Sequence, residues 1–366
     1  MIPISRPLLG EEEVEEVKRV LLSGYLAHGP EVEAFEEEFS RFLGGRVRAA
    51  AVSSGTAALY LAYVATGLQR GKRLLTTPFT FMATASPAVQ LGAEVLFADI
   101  DPETFCLSTE AVKEVLEREE IDLLVPVDLY GQATYLDDFE ALSRKYGFRI
   151  VEDACQAHGA LWKMRPAGTF GDVGVFSFYP TKNMTTGEGG MVVSSDEELL
   201  EEVRTLRNQG QRGRYEYAAL GYNFRMTSIA AAIGRVQLKK LTTFNEMRRR
   251  RAEIYRELLD DVDGIVLPKE VKGAHHVYHQ FTVRVKGGLR ERLIEHLKQH
   301  GVGYGVYYPR LLYDYQPLKR FAPPEDLPEA RRASLEVLSL PVHPGVSEHD
   351  VRKIAEIIKS FMRERG

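Results

Sequence analysis

From about residue 50 the chain alternates short apolar runs with longer stretches whose apolar residues recur every three or four positions. Leu74–Thr77, Glu94–Asp99, Leu123–Asp128 and Phe148–Glu152 predict strands, and Met82–Leu91, Thr109–Glu119 and Leu136–Tyr146 predict amphipathic helices between them. This alternation predicts an α/β fold, a mostly parallel sheet with helices on both faces. Asp172–Phe178 and Gly190–Ser194 predict two further strands, close enough in sequence for one to run antiparallel. Asp196 reads as the N-cap of a helix over Glu197–Arg207, in which acids precede bases as the helix dipole favours. Residues 228–259 carry a helical pattern long enough to leave one domain and enter another. The expected division near residue 245 gives a large domain, 1–245, and a small C-terminal α+β domain, 246–366, on which the N-terminal segment can pack. Strand-like His276–Val285, helix Leu289–His300 and a closing helix Ser347–Arg363 make up the small domain. The basic run Arg248–Arg251, flanked by acids, reads as a solvated helix face rather than a nucleic-acid patch.

Composition narrows the function classes. Of 366 residues, 44% are hydrophobic and 27% charged, as in ordinary globular proteins. The 47 basic and 52 acidic residues give a net charge of −5, so no electrostatic footprint for nucleic acid or an anionic membrane exists. No stretch approaches the roughly 20 apolar residues of a membrane helix. The start lacks a basic segment followed by an apolar one, so a cytoplasmic address is expected. Cys106 and Cys155 alone support neither a disulfide framework nor a cysteine-only metal cluster.

Candidate chemistry lies at the predicted strand ends, where ligands sit in parallel sheets. Asp153 closes one strand, and Lys182 follows another about thirty residues later, in Phe176-Ser-Phe-Tyr-Pro-Thr-Lys-Asn183. An amine and a carboxylate delivered there from different strands can grip one ring from two sides. Pyridoxal phosphate requires that pair, a lysine to hold the aldehyde as a Schiff base and an acid to keep the pyridine nitrogen protonated. Such a lysine must be neutral when it attacks, which calls for burial and neighbouring positive charge. The bland alternative is a structural ion pair. Val52-Ser-Ser-Gly-Thr-Ala-Ala-Leu59 is a small-residue turn opening a helix, where Gly55 and Thr56 could bind an anion. Ser177 is placed to reach the same phosphate. In Thr77-Pro-Phe-Thr-Phe81 either phenylalanine could stack on a heterocycle or fill the core. Gln156 could contact the ring's phenolic oxygen, and His158 substrate. The glycines of 185–191 let the chain pass closely behind a ring. His275, His276 and His279 alternate across a strand and do not converge, so no metal site is expected.

Taken together these stretches resemble the DegT/DnrJ/EryC1/StrS family, the fold-type-I pyridoxal-phosphate-dependent sugar aminotransferases. The motifs run nearly end to end: Gly29-Pro-Glu-Val-Glu-Ala-Phe-Glu-Glu-Glu-Phe39, Ser53-Ser-Gly-Thr-Ala-Ala-Leu59, Thr77-Pro-Phe-Thr-Phe81 and Glu152-Asp-Ala-Cys-Gln-Ala-His-Gly159. They continue through Phe176–Asn183, Glu188-Gly-Gly-Met191, Gly221-Tyr-Asn-Phe-Arg-Met226 and Leu340-Pro-Val-His-Pro344. The resemblance implies a large cofactor domain with a mostly parallel sheet and a small C-terminal α+β domain. It implies that Lys182 holds the cofactor covalently, Asp153 pairs with the pyridine nitrogen and Phe81 stacks on the ring. Gln156 would lie near the phenolic oxygen, and Gly55, Thr56 and Ser177 would hold the phosphate. Asn223 would reach the phosphate of a neighbouring subunit, so a homodimer with shared sites is implied. His158, Tyr307, Tyr308 and Tyr313 are the candidates for substrate contact. The implied reaction moves an amino group from L-glutamate to a keto group of a nucleotide-linked deoxysugar, with a dTDP-3-keto-6-deoxyhexose as the leading acceptor. A 4-keto sugar or cyclitol ketone, a pyridoxamine-dependent dehydratase, and a non-catalytic regulatory protein of the same fold are the rivals.

Overall fold

A computed structural model describes residues 1–364. Its main element is a seven-stranded sheet in the order Arg48–Val52, Gly190–Ser194, Val173–Ser177, Arg149–Asp153, Leu123–Val125, Arg73–Thr76, Glu94–Phe97. Only Gly190–Ser194 runs against the rest. It sits between strands 48–52 and 173–177, so the 190–194 strand is the antiparallel member of the predicted pair.

Alternate residues of these strands feed two different cores, because successive side chains of a strand point to opposite faces. Ala50, Val52, Leu74, Leu123, Val125, Val173 and Val175 enter one core, where helix Gly55–Ala65 packs. Ala49, Ala51, Leu75, Leu124, Phe176 and Val193 enter the other, against Val32, Phe35 and Phe39 of helix Pro30–Phe42. Both faces are covered, which is why these strands read as unbroken apolar runs.

The 32-residue helix Ser228–Leu259 passes from one core to another. Ala231, Leu238 and Leu241 belong with the large sheet. Ala252, Ile254, Tyr255 and Leu259 belong to a third core. That core also holds the antiparallel strands Ile265–Val266, Phe281–Val285 and Val337–Leu340 and helices Arg290–Gln299 and Glu348–Arg363. At the other end of the chain, Ile2 bridges to Val302 and His343 Nε2 meets the Pro3 carbonyl at 3.0 Å.

Three expectations need correction. The helix predicted over 82–91 is split into a short turn, Met82–Thr84, and Ser86–Gln90. Pro87 lacks the N–H that a continuous helix would bond to the Ala83 carbonyl. The strand predicted from His276 begins only at Phe281. Before it, Val277 N–H donates to Gly131 O at 2.9 Å and Gln280 N–H to Tyr130 O at 3.2 Å, so 277–280 folds onto the loop beyond strand 123–125. The Arg248–Arg251 run is a solvated face only at Arg250. Arg248 and Arg251 are buried, donating to the Tyr278 and His279 carbonyls and to the Pro344 and Val346 carbonyls respectively. Arg249 pairs with Glu270 and caps His276 O. Guanidinium groups placed there satisfy backbone carbonyls that the irregular loops leave unpaired.

Candidate active site

The C-terminal ends of the parallel strands open onto a cavity of about 590 Å³. Asp153 and Ser177 are the last residues of their strands, Val127 lies just past a third, and Thr80 and Phe81 follow a fourth. Lys182 and the Ser54–Thr56 turn complete this wall, and His279, Gln280, Tyr307 and Tyr308 form the opposite one. Lys182 and Asp153, delivered by different strands, therefore meet in one cavity.

Asp153 is 4% exposed and makes no ion pair among the described residues. Its carboxylate is supported from behind: Thr84 Oγ1 donates to Oδ2 at 2.9 Å and the Cys155 N–H to Oδ1 at 3.2 Å. Thr84 is itself 3.1 Å from Thr80 Oγ1, and its carbonyl accepts from Tyr63 at 2.6 Å. Buried carboxylates are normally matched by a cation. A group presenting a positive N–H from the cavity would supply that match.

Lys182 is half-buried and lines the cavity. Burial holds its pKa below the ordinary lysine value, while Cys155 and Asp153 pull it back up. The lowering comes from desolvation alone; the neighbouring positive charge expected from sequence is absent. A lowered proton affinity favours the neutral amine, the form that attacks a carbonyl.

The corner beside Ser177 is shaped by close approach. Strand residues Val52, Gly190 and Ser177 lie on one rung, and the 54–55 turn presses on it. A Cβ on Gly55 would come within 2.7 Å of Ser177 Cβ, and one on Gly190 within 2.4 Å of Ser54 O. Ser54 Oγ caps the helix by accepting from Ala57 N–H at 3.1 Å. The Gly55 and Thr56 amides have no intrahelical acceptor. With the Thr56 and Ser177 hydroxyls they form a donor-rich corner at the positive end of an 11-residue helix, which suits a phosphate. Acid, amine and phosphate corner all open on one space, so the residues present fit pyridoxal phosphate.

The two phenylalanines divide their duties. Phe79 is wholly buried, whereas Phe81 is 58% exposed and lines the cavity. Tyr308 packs near both, with ring centroids 6.2 Å from Phe79 and 6.3 Å from Phe81. Gln156 Oε1 accepts from Tyr130 N–H at 2.9 Å, and its Nε2 donates to Tyr308 Oη at 3.3 Å, tying the two walls together. Tyr130 Oη donates to the Tyr307 carbonyl.

Three sequence candidates lie outside the cavity. His158 is fully buried between Phe176 and Phe178, with neither ring nitrogen hydrogen-bonded; burial pushes its pKa down to about 3. It faces the core behind the sheet, because the turn after Asp153 rotates it away. Tyr313 packs on Phe97 and donates to Asp326 Oδ1 at 2.7 Å. Neither lines the cavity. Asn223 is exposed, bridged through its backbone to Asn208, and reaches no part of its own chain's cavity.

Sequence reasoning missed Thr84, Cys155, Glu188, Gln280 and His279 as lining residues. Thr84 carried no signal, since its value lies in reaching Asp153 across 69 positions. His279 was weighed only as a metal ligand on an imagined strand.

Residues 7–359 match the model of the DegT/DnrJ/EryC1/StrS aminotransferase family. A pleiotropic regulatory protein of Geobacillus stearothermophilus is 36% identical, over 96% of this chain and 93% of its own. The UDP-N-acetyl-3-dehydro-alpha-D-glucosamine 3-aminotransferase of Acidithiobacillus ferrooxidans is 34% identical, over 96% of this chain and 94% of its own. Among solved structures, Spr1654 of Streptococcus pneumoniae in its PMP form superimposes with a TM-score of 0.92 at 26% identity, covering 99% of this chain and 98% of that one. Its PLP form gives 0.91 at 25% identity, covering 99% of each.

Proposed function

The chain belongs to the DegT/DnrJ/EryC1/StrS aminotransferase family, and we propose that it uses pyridoxal phosphate to move an amino group from L-glutamate to a keto group of a nucleotide-linked sugar. The observation that carries this reading is the convergence on one cavity of an amine whose proton affinity burial lowers and a buried carboxylate without an ion-pair partner among the described residues. When bound, pyridoxal phosphate supplies an electron sink and a carrier for the amino group. Lys182 would hold it covalently and, once released, move a proton at the carbon that gains or loses nitrogen. Asp153, braced by Thr84 and the Cys155 N–H, would keep the pyridine nitrogen protonated. Gly55, Thr56 and Ser177 would anchor the phosphate, Phe81 would cover the ring face, and Gln156 would sit near the phenolic oxygen.

For the acceptor, the relative named for a 3-dehydro nucleotide sugar supports a 3-keto sugar, and a dTDP-3-keto-6-deoxyhexose is our leading assignment. Two features support a homodimer. Leu21, Leu22, Tyr25, Tyr215, Tyr217 and Leu220 are large apolar side chains left in water. The loop at 26–27 adjoins the start of the long helix, through Ser228 N–H on the Leu26 carbonyl at 3.1 Å, a few residues beyond Asn223. Burial of this region against a second copy would carry Asn223 toward the partner's phosphate corner. We place the division between the two domains near residue 245, and the protein in the cytoplasm. Among the described residues no helix is long and apolar enough to cross a membrane.

The test is spectroscopic. Protein loaded with pyridoxal phosphate should change absorbance when glutamate is added, and a panel of 3-keto and 4-keto nucleotide sugars should then restore the first spectrum selectively. No change with any amino donor overturns the reading. The relative named as a regulatory protein favours a second one, a fold without turnover; a Lys182→Ala protein that keeps full biological effect would establish it.

A further inference from the structure

His279 is 5% exposed, lines the cavity, and belongs to the segment that folds onto the 130–131 loop instead of joining a strand. Its tautomer is dictated by a relay that starts on backbone carbonyls. Asn245 Nδ2 donates to His158 O at 2.8 Å, so its Oδ1 faces Asn183. Asn183 must then present its NH₂, which donates to Asn245 Oδ1 at 2.8 Å and to Val277 O at 3.1 Å. That leaves Asn183 Oδ1 toward His279 Nδ1, 3.3 Å away, and only a protonated Nδ1 can meet it. In a neutral ring Nε2 therefore carries a bare lone pair. It has no hydrogen-bond partner among the described residues, and it opens on the cavity that His279 lines. Burial first, then the charge of Lys182, hold the ring's pKa well below the ordinary histidine value, which keeps the imidazole neutral.

We propose that His279 is a specificity-determining residue whose Nε2 accepts a hydrogen bond from a hydroxyl of the amino acceptor, next to the keto carbon that receives nitrogen. A lone pair that cannot become a donor repels the carboxylates of an amino acid donor, and it is matched by the hydroxyls that flank a sugar ketone. His279 thus serves the acceptor half of the reaction rather than the donor half. The proposal rests on the sugar aminotransferase reading and deepens it by naming the group that selects the acceptor.

Two measurements test it. In cofactor-free full-length protein labelled with ¹⁵N-histidine, the His279 signals, assigned by their loss in His279→Gln, should show protonated Nδ1 and bare Nε2 at pH 7. Protonated Nε2 overturns the proposal without reference to turnover. In single-turnover kinetics, His279→Phe should raise the half-saturating concentration of the keto sugar about tenfold, the effect of one lost hydrogen bond. Its glutamate step should change far less, and His279→Gln, which retains an acceptor oxygen, should recover part of the loss. Equal losses in both half-reactions, or none in either, overturn the proposal. Failure of the glutamate step in the wild-type protein would instead overturn the aminotransferase reading, so the two failures are distinct.

Discussion

The two walls of the cavity are built by different physics. The wall carrying Asp153 and Ser177 stands on strand ends fixed by ladder pairing, and Lys182 sits on the turn just beyond one of them. The facing wall, residues 277–280 and 307–308, belongs to no sheet. Besides two backbone bonds to the 130–131 loop, it is held by side chains reaching backbone carbonyls: Arg248 on Tyr278 and His279, Tyr130 on Tyr307, Asn183 on Val277. Ladders are generic and tolerate many side chains, so they suit chemistry that does not vary. Loops pinned by individual side chains can be reshaped one residue at a time, so they suit the selection of an acceptor.

If that division holds, changes to the strand-end wall should cost rate, and changes to the loop wall should cost acceptor affinity. The largest effect is expected from Lys182→Ala, a loss of transfer on the order of 10⁴-fold or more, read by steady-state turnover. The same position gives a second, opposite readout. Because burial lowers its proton affinity, the unfolded chain binds more protons than the folded one between the lowered value and the ordinary 10.5. Stability of cofactor-free protein should therefore rise with pH across that window. Lys182→Met should melt higher than wild type at pH 7, with the gap closing as pH climbs. A lower melting point for that variant would mean the amine is not held in a desolvated site.

Asp153→Asn should reduce kcat by about 10²–10³-fold, since an amide cannot hold a proton on a pyridine nitrogen. Thr84→Val, which removes only the hydroxyl bracing that carboxylate, should cost about tenfold in kcat with little change in half-saturation. On the other wall, Tyr308→Phe frees Gln156 Nε2 and should raise the acceptor KM a few-fold while sparing the glutamate step. A fall in the rate of both steps would erase the contrast between the walls.

The smallest functional effect is expected at His158. His158→Phe should change turnover by less than about twofold, as the ring packs between Phe176 and Phe178 and does not line the cavity. It should alter acid stability instead. The buried histidine titrates at about 3 in the folded chain against about 6.5 when unfolded. As pH falls between those values the unfolded state takes the proton first and the fold loses stability. The variant's melting temperature should accordingly decline less steeply than wild type's over that range.

The strand-end wall was legible because its residues sit at fixed offsets from apolar runs that announce themselves. Asp153 closes such a run and Lys182 follows shortly after another, so both come to the same edge of one sheet. The loop wall was not. The run from His276 has the composition of a strand, yet its first half is claimed by Gly131 and Tyr130, so the histidines assigned to alternating faces adopt unrelated environments. That Tyr313 and His158 lie outside the cavity has the same reason. Their neighbours, Phe97 and Asp326 for one and Phe176 and Phe178 for the other, are brought to them by the fold.

The chain's own pattern thus determined the parallel sheet, the end of it that carries chemistry, and the amine and acid that meet there, because periodicity and strand ends are local properties. Tertiary packing alone decided which of two phenylalanines faces the cavity, that Thr84 braces Asp153, that two arginines of a basic run are buried, and which nitrogen of His279 is bare. Each of those depends on a partner far away in sequence, and a hydrogen-bonding group's role is settled only by the group it meets.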